Sequence, residues 1–300
     1  MIFNRRNQIS STEDVFNVLN IKSNIISNKQ KRCLHENGYL IIQSTKFIKK
    51  NLTKLRKEID KLIKKEGKTG GWEGKKKFYK KGKLFEPGTN RLGNLIEKNN
   101  VFAGLITIPE ILLCAKEVVK DDVKVCGLNY REPVKGAGEQ EIHMDWKPRK
   151  NKKENYAGIV CMIYLDKSTK KNGSTRLIPK SHKKLGWPNK HINIFKRSRK
   201  EIRPTIKAGG IIVLNLNLWH AGSKNISDQK RRMIMLNIKR RDFPQLLNYK
   251  KFLTKKTLNK LNETQKYLLA VRRFDKTQKE NSIGVGKYYK KDFHLKQKKI

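Results

Sequence analysis

Between residues 122 and 240 the chain is a succession of short β-rich runs separated by turn-forming stretches, with no helical period between them. The runs cover 123–130, 156–165, 174–179, 210–219 and 231–238, and the most turn-rich separators are 135–138, 166–173 and 222–228. Parallel strands need long crossovers, usually helices, whereas strands joined by turns pair antiparallel. The pattern therefore predicts an antiparallel sandwich or barrel.

The flanks read differently. Ser27 can cap a short helix that runs through Glu36 and stops at Gly38, and Tyr39-Leu40-Ile41-Ile42 is a short β-rich run. Ser44 or Thr45 can cap a helix to about Lys64, whose apolar stripe is Phe47, Leu52, Leu55, Ile59 and Leu62. Gly67, Gly70, Gly71 and Gly74 end it in a glycine- and lysine-rich stretch, 68–90, expected to be a mobile surface segment. A further helix is expected over 109–120, with Pro109 in its first turn, and another over 255–271, followed by a basic tail. The fold class expected is mainly β with helical additions (α+β). One domain is expected over 1–300, with a mainly helical part to 121, a β core over 122–242 and a helical, basic extension beyond.

Charge constrains the partners. Lys and Arg total 71 against 26 Asp and Glu, a formal charge of +45, which invites a nucleic-acid or anionic-membrane reading. The basic residues are spread along the chain, however, and the excess of Lys, Asn and Ile matches A/T-rich codons. We expect no specific nucleic-acid site. Cys33, Cys114, Cys126 and Cys161 form neither a C-x-x-C pair nor a framework of short spacings, so a reducing cytoplasm is the expected location. Residues 1–20 lack a continuous apolar core, and no run approaches the roughly 18 apolar residues of a membrane span, so no secretion signal or anchor is expected.

Two short motifs carry chemistry. In Glu141-Ile142-His143-Met144-Asp145-Trp146, His143 and Asp145 are two residues apart and in extended backbone face the same side, where they can chelate one ion. An isolated His-x-Asp is more often a loop pair. The second motif is the run from Gly210 to His220: Ile212, Leu214, Leu216 and Leu218 form one apolar face, which His220 continues into the core at a strand end. A lone buried histidine commonly just bonds a carbonyl, but two imidazoles with one carboxylate form the facial triad of non-haem Fe(II) oxygenases, with three coordination positions open. After a polar turn, Arg231 starts a new strand near His220, where a guanidinium can clamp a carboxylate through two parallel hydrogen bonds. Arg232 should face the opposite way; a solvated edge arginine remains the ordinary alternative for Arg231.

The order His143-x-Asp145, then Asn172-Gly173-Ser174-Thr175-Arg176-Leu177-Ile178-Pro179-Lys180-Ser181-His182, then Trp219-His220-x-Gly222 with Asn225 and Arg231, resembles the phytanoyl-CoA dioxygenase family over roughly 30–240. His35-Glu36-Asn37-Gly38-Tyr39 and Pro87-Gly88-Thr89-Asn90-Arg91 are similar to it as well. The resemblance implies a double-stranded β-helix, a cupin-like jelly-roll barrel with iron at its mouth. It implies His143, Asp145 and His220 as ligands of Fe(II), Arg231 as anchor of the distal carboxylate of the cosubstrate 2-oxoglutarate, and O2 as second cosubstrate. Gln140 and Thr175 fall where the family contributes polar contacts to cosubstrate or pocket, though ordinary turn chemistry accounts for them equally. His182 resembles a structural turn residue. Lys180 stands where the family has glycine, and is expected to hold an ordinary backbone conformation.

Relatives that halogenate lack the carboxylate, so Asp145 points to hydroxylation, with a small organic metabolite as substrate and loops 68–90 and 183–207 setting specificity. The alternatives are a nucleic-acid demethylating dioxygenase and a non-catalytic basic nucleic-acid-binding module.

Overall fold

The computed structural model of the chain describes residues 9–66, 79–80, 83–84 and 88–275. Most of the stretch 68–90 and the tail beyond 275 lie outside the described residues. Along the chain run α1 (Thr12–Val18), α2 (Asn28–Asn37), β1 (Tyr39–Ile42), α3 (Lys46–Glu66), β2 (Tyr79–Lys80), β3 (Lys83–Leu84), β4 (Thr89–Leu92), α4 (Leu95–Lys98), α5 (Asn100–Ala103) and α6 (Pro109–Val119). There follow β5 (Val123–Pro133), β6 (Gly158–Tyr164), β7 (Arg176–Leu177), β8 (Ile211–Asn215), β9 (His220–Ala221), β10 (Met233–Arg240), α7 (Tyr249–Phe252), α8 (Lys255–Leu258) and α9 (Glu263–Leu269). No described helix is long and apolar enough to cross a membrane.

Local chemistry sets several of these boundaries. Ser27 caps α2 in a reciprocal box with Gln30, and Gly38 ends it in the left-handed conformation at φ 79°. A side chain at Gly38 would also collide with the His182 ring, since its Cβ would lie 2.4 Å from Nδ1. Thr45 Oγ1 accepts the Ile48 N–H at the start of α3; of the stripe read from the sequence Leu55, Ile59 and Leu62 are buried and Phe47 and Leu52 partly so, and Ile48 is buried with them.

Six strands form one antiparallel sheet in the order β1-β8-β6-β10-β5-β4, so it draws on strands from both sides of residue 122. Its two faces bury different cores. Outward, Ile159, Cys161, Ile163, Ile211, Val213, Ile234, Leu236 and Ile238 pack against the helices. Inward, Val160, Met162, Tyr164, Ile212, Leu214 and Met233 line the barrel with Trp146, Leu177, Leu216 and Leu218. A slip of one residue would exchange these two sets, so burial on both faces pins the register. The opposite wall is the short pair β7–β9, extended by bridges from His143 to His220 and from Leu177 to Ile202. The jelly-roll architecture expected from the sequence is present.

Some boundaries differ from the sequence reading. β8 ends at Asn215 rather than running on to 219, because Asn215 builds a turn: its Oδ1 accepts the Asn217 N–H at 2.9 Å and its carbonyl accepts the Leu218 N–H at 2.9 Å. The turn carries the chain from the large sheet to the small wall, so His220 lies on β9 and is not a continuation of the β8 face. The helix expected over 255–271 is two short helices, because Asn262 caps α9 anew in a box with Gln265. Only Arg176–Leu177 of the run 174–179 is strand, and β10 begins at Met233, two residues after Arg231. The helix α1, capped by Ser11 with Asp14, and the strand β4 are absent from the sequence reading.

Candidate metal centre

His143 and His220 stand opposite one another across the small wall: the His143 N–H donates to the His220 carbonyl at 2.9 Å, and the His220 N–H donates to the His143 carbonyl at 2.8 Å. The Asp145 N–H donates to the Leu216 carbonyl at 2.9 Å, which ties the second ligand position to the turn after β8. The backbone thus aims three side chains at one point. Their donor atoms all lie within 4.8 Å of one another, with His143 and Asp145 partly open and His220 buried.

The protonation pattern suits a cation at that point. His143 Nδ1 lies 2.9 Å from the Glu141 carbonyl oxygen and His220 Nδ1 lies 2.9 Å from the Leu218 carbonyl oxygen. A carbonyl only accepts, so each Nδ1 carries a proton and each ring turns its Nε2, the atom free to ligate a metal, toward Asp145. Those Nε2 atoms lie 3.9 Å and 3.7 Å from the two Asp145 oxygens, too far for a hydrogen bond. Asp145 Oδ2 is buried with no hydrogen-bond partner. Two lone pairs and a carboxylate facing one another repel unless a cation sits between them, and two imidazoles with one carboxylate suit a divalent transition metal. Ile142, Met144, Ile178, Trp219 and Ala221 pack behind the wall and close it from that side.

Arg231 is the largest fully buried side chain, with 1% of its surface exposed. Its Nε and Nη2 have no hydrogen-bond partner, and Nη1 reaches only the Met233 sulfur at 3.5 Å. Burial pulls its pKa down to about 10, and Arg131 beside it acts in the same direction. Leaving a cation buried and unmatched costs several kcal/mol, about what a well-placed carboxylate would offset. Tyr164 and Thr175 share this compartment, their hydroxyls 2.7 Å apart, and burial pushes the Tyr164 phenol up, so it stays neutral.

Arg131, also fully buried, has its pKa lowered to about 10 by burial, while the charge of Asp145 favours its cationic form. Gly222 packs under it: a Cβ there would lie 3.1 Å from Arg131 Nη1 and 3.0 Å from Gln140 Oε1. Gln140 Oε1 accepts the Gly222 N–H at 2.9 Å, and the Gln140 carbonyl accepts from Arg176. Gln140 therefore holds the turn after His220, and Thr175 holds Tyr164.

Other sequence expectations resolve as follows. Arg232 faces away from Arg231 and grips Asp166 through Nε and Nη2 at 2.9 Å and 2.8 Å, and Asp60 through Nη1 at 2.6 Å. His182 lies apart from the triad: its Nε2 donates to the His35 carbonyl at 3.1 Å, and burial lowers its pKa to about 4. Lys180 does not take an ordinary backbone conformation but sits at φ 67°, ψ −4°, the left-handed region a glycine would occupy freely. The loop 183–207 lies against the small wall through Trp187, Ile192 and Ile194. Arg131 and Tyr164 escape a reading of motifs; the available signal is an arginine continuing an apolar strand past Tyr130.

The model of the family "Phytanoyl-CoA dioxygenase (PhyH)" matches residues 34–233, a span that contains His143, Asp145, His220 and Arg231. A curated relative, dioxygenase trt7 of Aspergillus terreus, is 27% identical over 225 residues, covering 71% of this chain and 73% of that one. Among solved structures, HygX from Streptomyces hygroscopicus with nickel, 2-oxoglutarate and hygromycin B bound superposes with a TM-score of 0.57 at 15% identity, covering 73% of this chain and 89% of that one. The non-haem α-ketoglutarate-dependent carbocyclase SnoK from nogalamycin biosynthesis does so with a TM-score of 0.57 at 15% identity, covering 74% and 87%. At that identity the likeness is one of fold.

Proposed function

The chain belongs to the phytanoyl-CoA dioxygenase family and is a 2-oxoglutarate-dependent non-haem iron dioxygenase, and from that premise we propose that it hydroxylates a small organic metabolite at a centre built from His143, Asp145 and His220. The observation that carries this reading is the convergence of the two imidazole Nε2 atoms and an Asp145 carboxylate oxygen with no hydrogen-bond partner among the described residues. When bound, Fe(II) with 2-oxoglutarate and O2 supplies an oxidative decarboxylation that releases succinate and CO2 and leaves one oxygen atom on the substrate.

The chain's own residues position these groups. The Glu141 and Leu218 carbonyls hold both imidazole rings in plane and in tautomer, so the ligand atoms need little reorganisation. Arg231 takes the far carboxylate of 2-oxoglutarate in a forked, charge-assisted pair, inside a compartment that excludes competing water. Tyr164 and Thr175 offer hydroxyls to the same end, and Gln140 steadies the Gly222 turn between this compartment and His220. HygX, with 2-oxoglutarate and a small-molecule antibiotic bound, supports a small-molecule substrate for a barrel of this shape. Asp145 supports hydroxylation over halogenation, because its carboxylate fills the position a halide would need.

The test is a metabolite screen that measures succinate release with Fe(II), 2-oxoglutarate and O2. Anaerobic addition of Fe(II) and 2-oxoglutarate should also produce the weak visible charge-transfer band of a chelated keto acid. A protein that binds only zinc and shows no band would overturn the reading.

A further inference from the structure

The segment entering β10 and the inner face of β10 itself carry Arg231, then Met233, Met235, Asn237 and Lys239 in alternation, a span of roughly 26 Å from the first to the last at about 3.3 Å per residue. The Arg231 end is the compartment assigned to 2-oxoglutarate. The Lys239 end lies on the other side of the metal centre, and it too is polar without being matched.

Lys239 is 3% exposed, yet among the described residues its Nζ has no hydrogen-bond acceptor and no carboxylate within ion-pairing distance. It rests on the Trp146 ring, 4.0 Å from the centroid, and Phe243 stacks on that ring at 5.2 Å. Trp146 follows the metal ligand Asp145; burial lowers the Lys239 pKa, and Cys126 and Asp145 nearby oppose that shift. Directly across the sheet from Lys239 stands Lys124, also buried, with Asp242 favouring its charge and Arg241 and Lys239 opposing it. Between the Arg131 and Lys239 positions of the sheet's inner face lie Asn237, which is buried, and Asn129, which is partly open; neither amide makes a side-chain hydrogen bond among the described residues.

The energies do not balance without a further group. A cation over an aromatic face gains about 0.5–2 kcal/mol, whereas burying an ammonium costs several. Two like charges facing one another across a sheet add to the deficit. A metal at Asp145 would also neutralise the one carboxylate whose charge reaches Lys239. An aliphatic residue at 239 would pack as well and avoid these costs, so stability does not explain a lysine there.

Resting on the function proposed above, we propose that Asn129, Asn237 and Lys239 against Trp146 form the substrate pocket, and that Lys239 selects substrates bearing an anionic group, a carboxylate or a phosphate monoester. The two amides hydrogen-bond the polar part of the substrate nearer the metal, and the ammonium pairs with its charged end.

The test uses the full-length protein loaded anaerobically with Fe(II) and 2-oxoglutarate, titrated calorimetrically with two matched series: benzoate, phenyl phosphate and benzyl alcohol, and octanoate, octyl phosphate and octanol. In at least one series an anion should bind about tenfold or more tightly than its neutral counterpart. Carboxylate and phosphate arms identify which anion the pocket takes. Lys239→Met should abolish the preference while leaving Fe(II) and 2-oxoglutarate affinity unchanged and the melting temperature no lower than the parent's; Lys239→Gln serves if the methionine variant does not fold. Equal binding of neutral and anionic members in both series overturns the proposal, as does a preference that survives loss of the lysine. The visible band on adding 2-oxoglutarate is scored separately, so failure of the iron and 2-oxoglutarate reading is distinguishable from failure of the anion pocket.

Discussion

On the outer side of the segment leading into β10, Arg232 has an acceptor for every part of its fork, and further along Arg240 holds Asp242 through Nε and Nη2 at 2.6 Å each. On the inner side, Arg231 and Lys239 are more deeply buried and have none. Neighbouring residues of like charge thus do opposite work. Where the protein supplies the counter-charge, the cation ties α3 and the loop after β6 to the sheet. Where it does not, we assign the missing partner to a ligand, because burying a charge without a counter-charge is costly.

The largest expected effect lies at the centre of the inner face. His143→Ala, Asp145→Ala and His220→Ala should each abolish turnover while circular dichroism and melting temperature stay near those of the parent, since each imidazole side chain has only a local carbonyl two residues away to lose. Full activity in any one variant removes that residue from the metal site. On the outer face the pattern should invert. Arg232→Ala breaks a part-buried fork between Asp166 and Asp60 and should cost about 2 kcal/mol in denaturant unfolding, between the values for exposed and buried pairs, with 2-oxoglutarate affinity intact.

Arg231→Ala sharpens the contrast one residue away. The apparent requirement for 2-oxoglutarate should rise at least tenfold, about 1.4 kcal/mol or more, with iron affinity unchanged and no loss of stability. If Arg232→Ala weakens 2-oxoglutarate and Arg231→Ala does not, the assignment of faces is wrong; if neither does, the anchor lies elsewhere. The smallest effect is expected at Lys180, whose left-handed backbone is strained for a side chain. Lys180→Gly should gain no more than about 1 kcal/mol, because relief of roughly 1–2 kcal/mol is partly offset by the entropy of a more flexible unfolded chain. A loss on that substitution would mean that the lysine side chain itself holds the loop.

Much of the centre was legible without coordinates. β-rich runs between turn-forming stretches marked β5, β6, β8 and β10, caps marked α2 and α3, and the spacing of His143 and Asp145 put both on one side. These are local properties, written in residues a few positions apart. His220 was identified for a reason the structure corrects: it reaches the site through the Asn215 turn onto the opposite wall, not by continuing β8. Chain order alone could not distinguish the two routes, since both place an apolar residue at every second position up to 218.

What the tertiary structure alone decided is which distant residues share a compartment. Arg131 and Tyr164 join Arg231 because both are paired with Met233 across neighbouring strands, and the same register brings Asn129, Asn237 and Lys239 together further along the sheet. The left-handed backbone of Lys180 is likewise imposed by the surroundings, against its intrinsic preference. The sequence by itself marked the main strands of the core, though not β4 or several strand ends, and singled out the two histidines, the aspartate and the arginine that follows. Register between strands depends on which face buries more apolar surface once all of them are assembled, and so do the groups left unmatched inside the barrel.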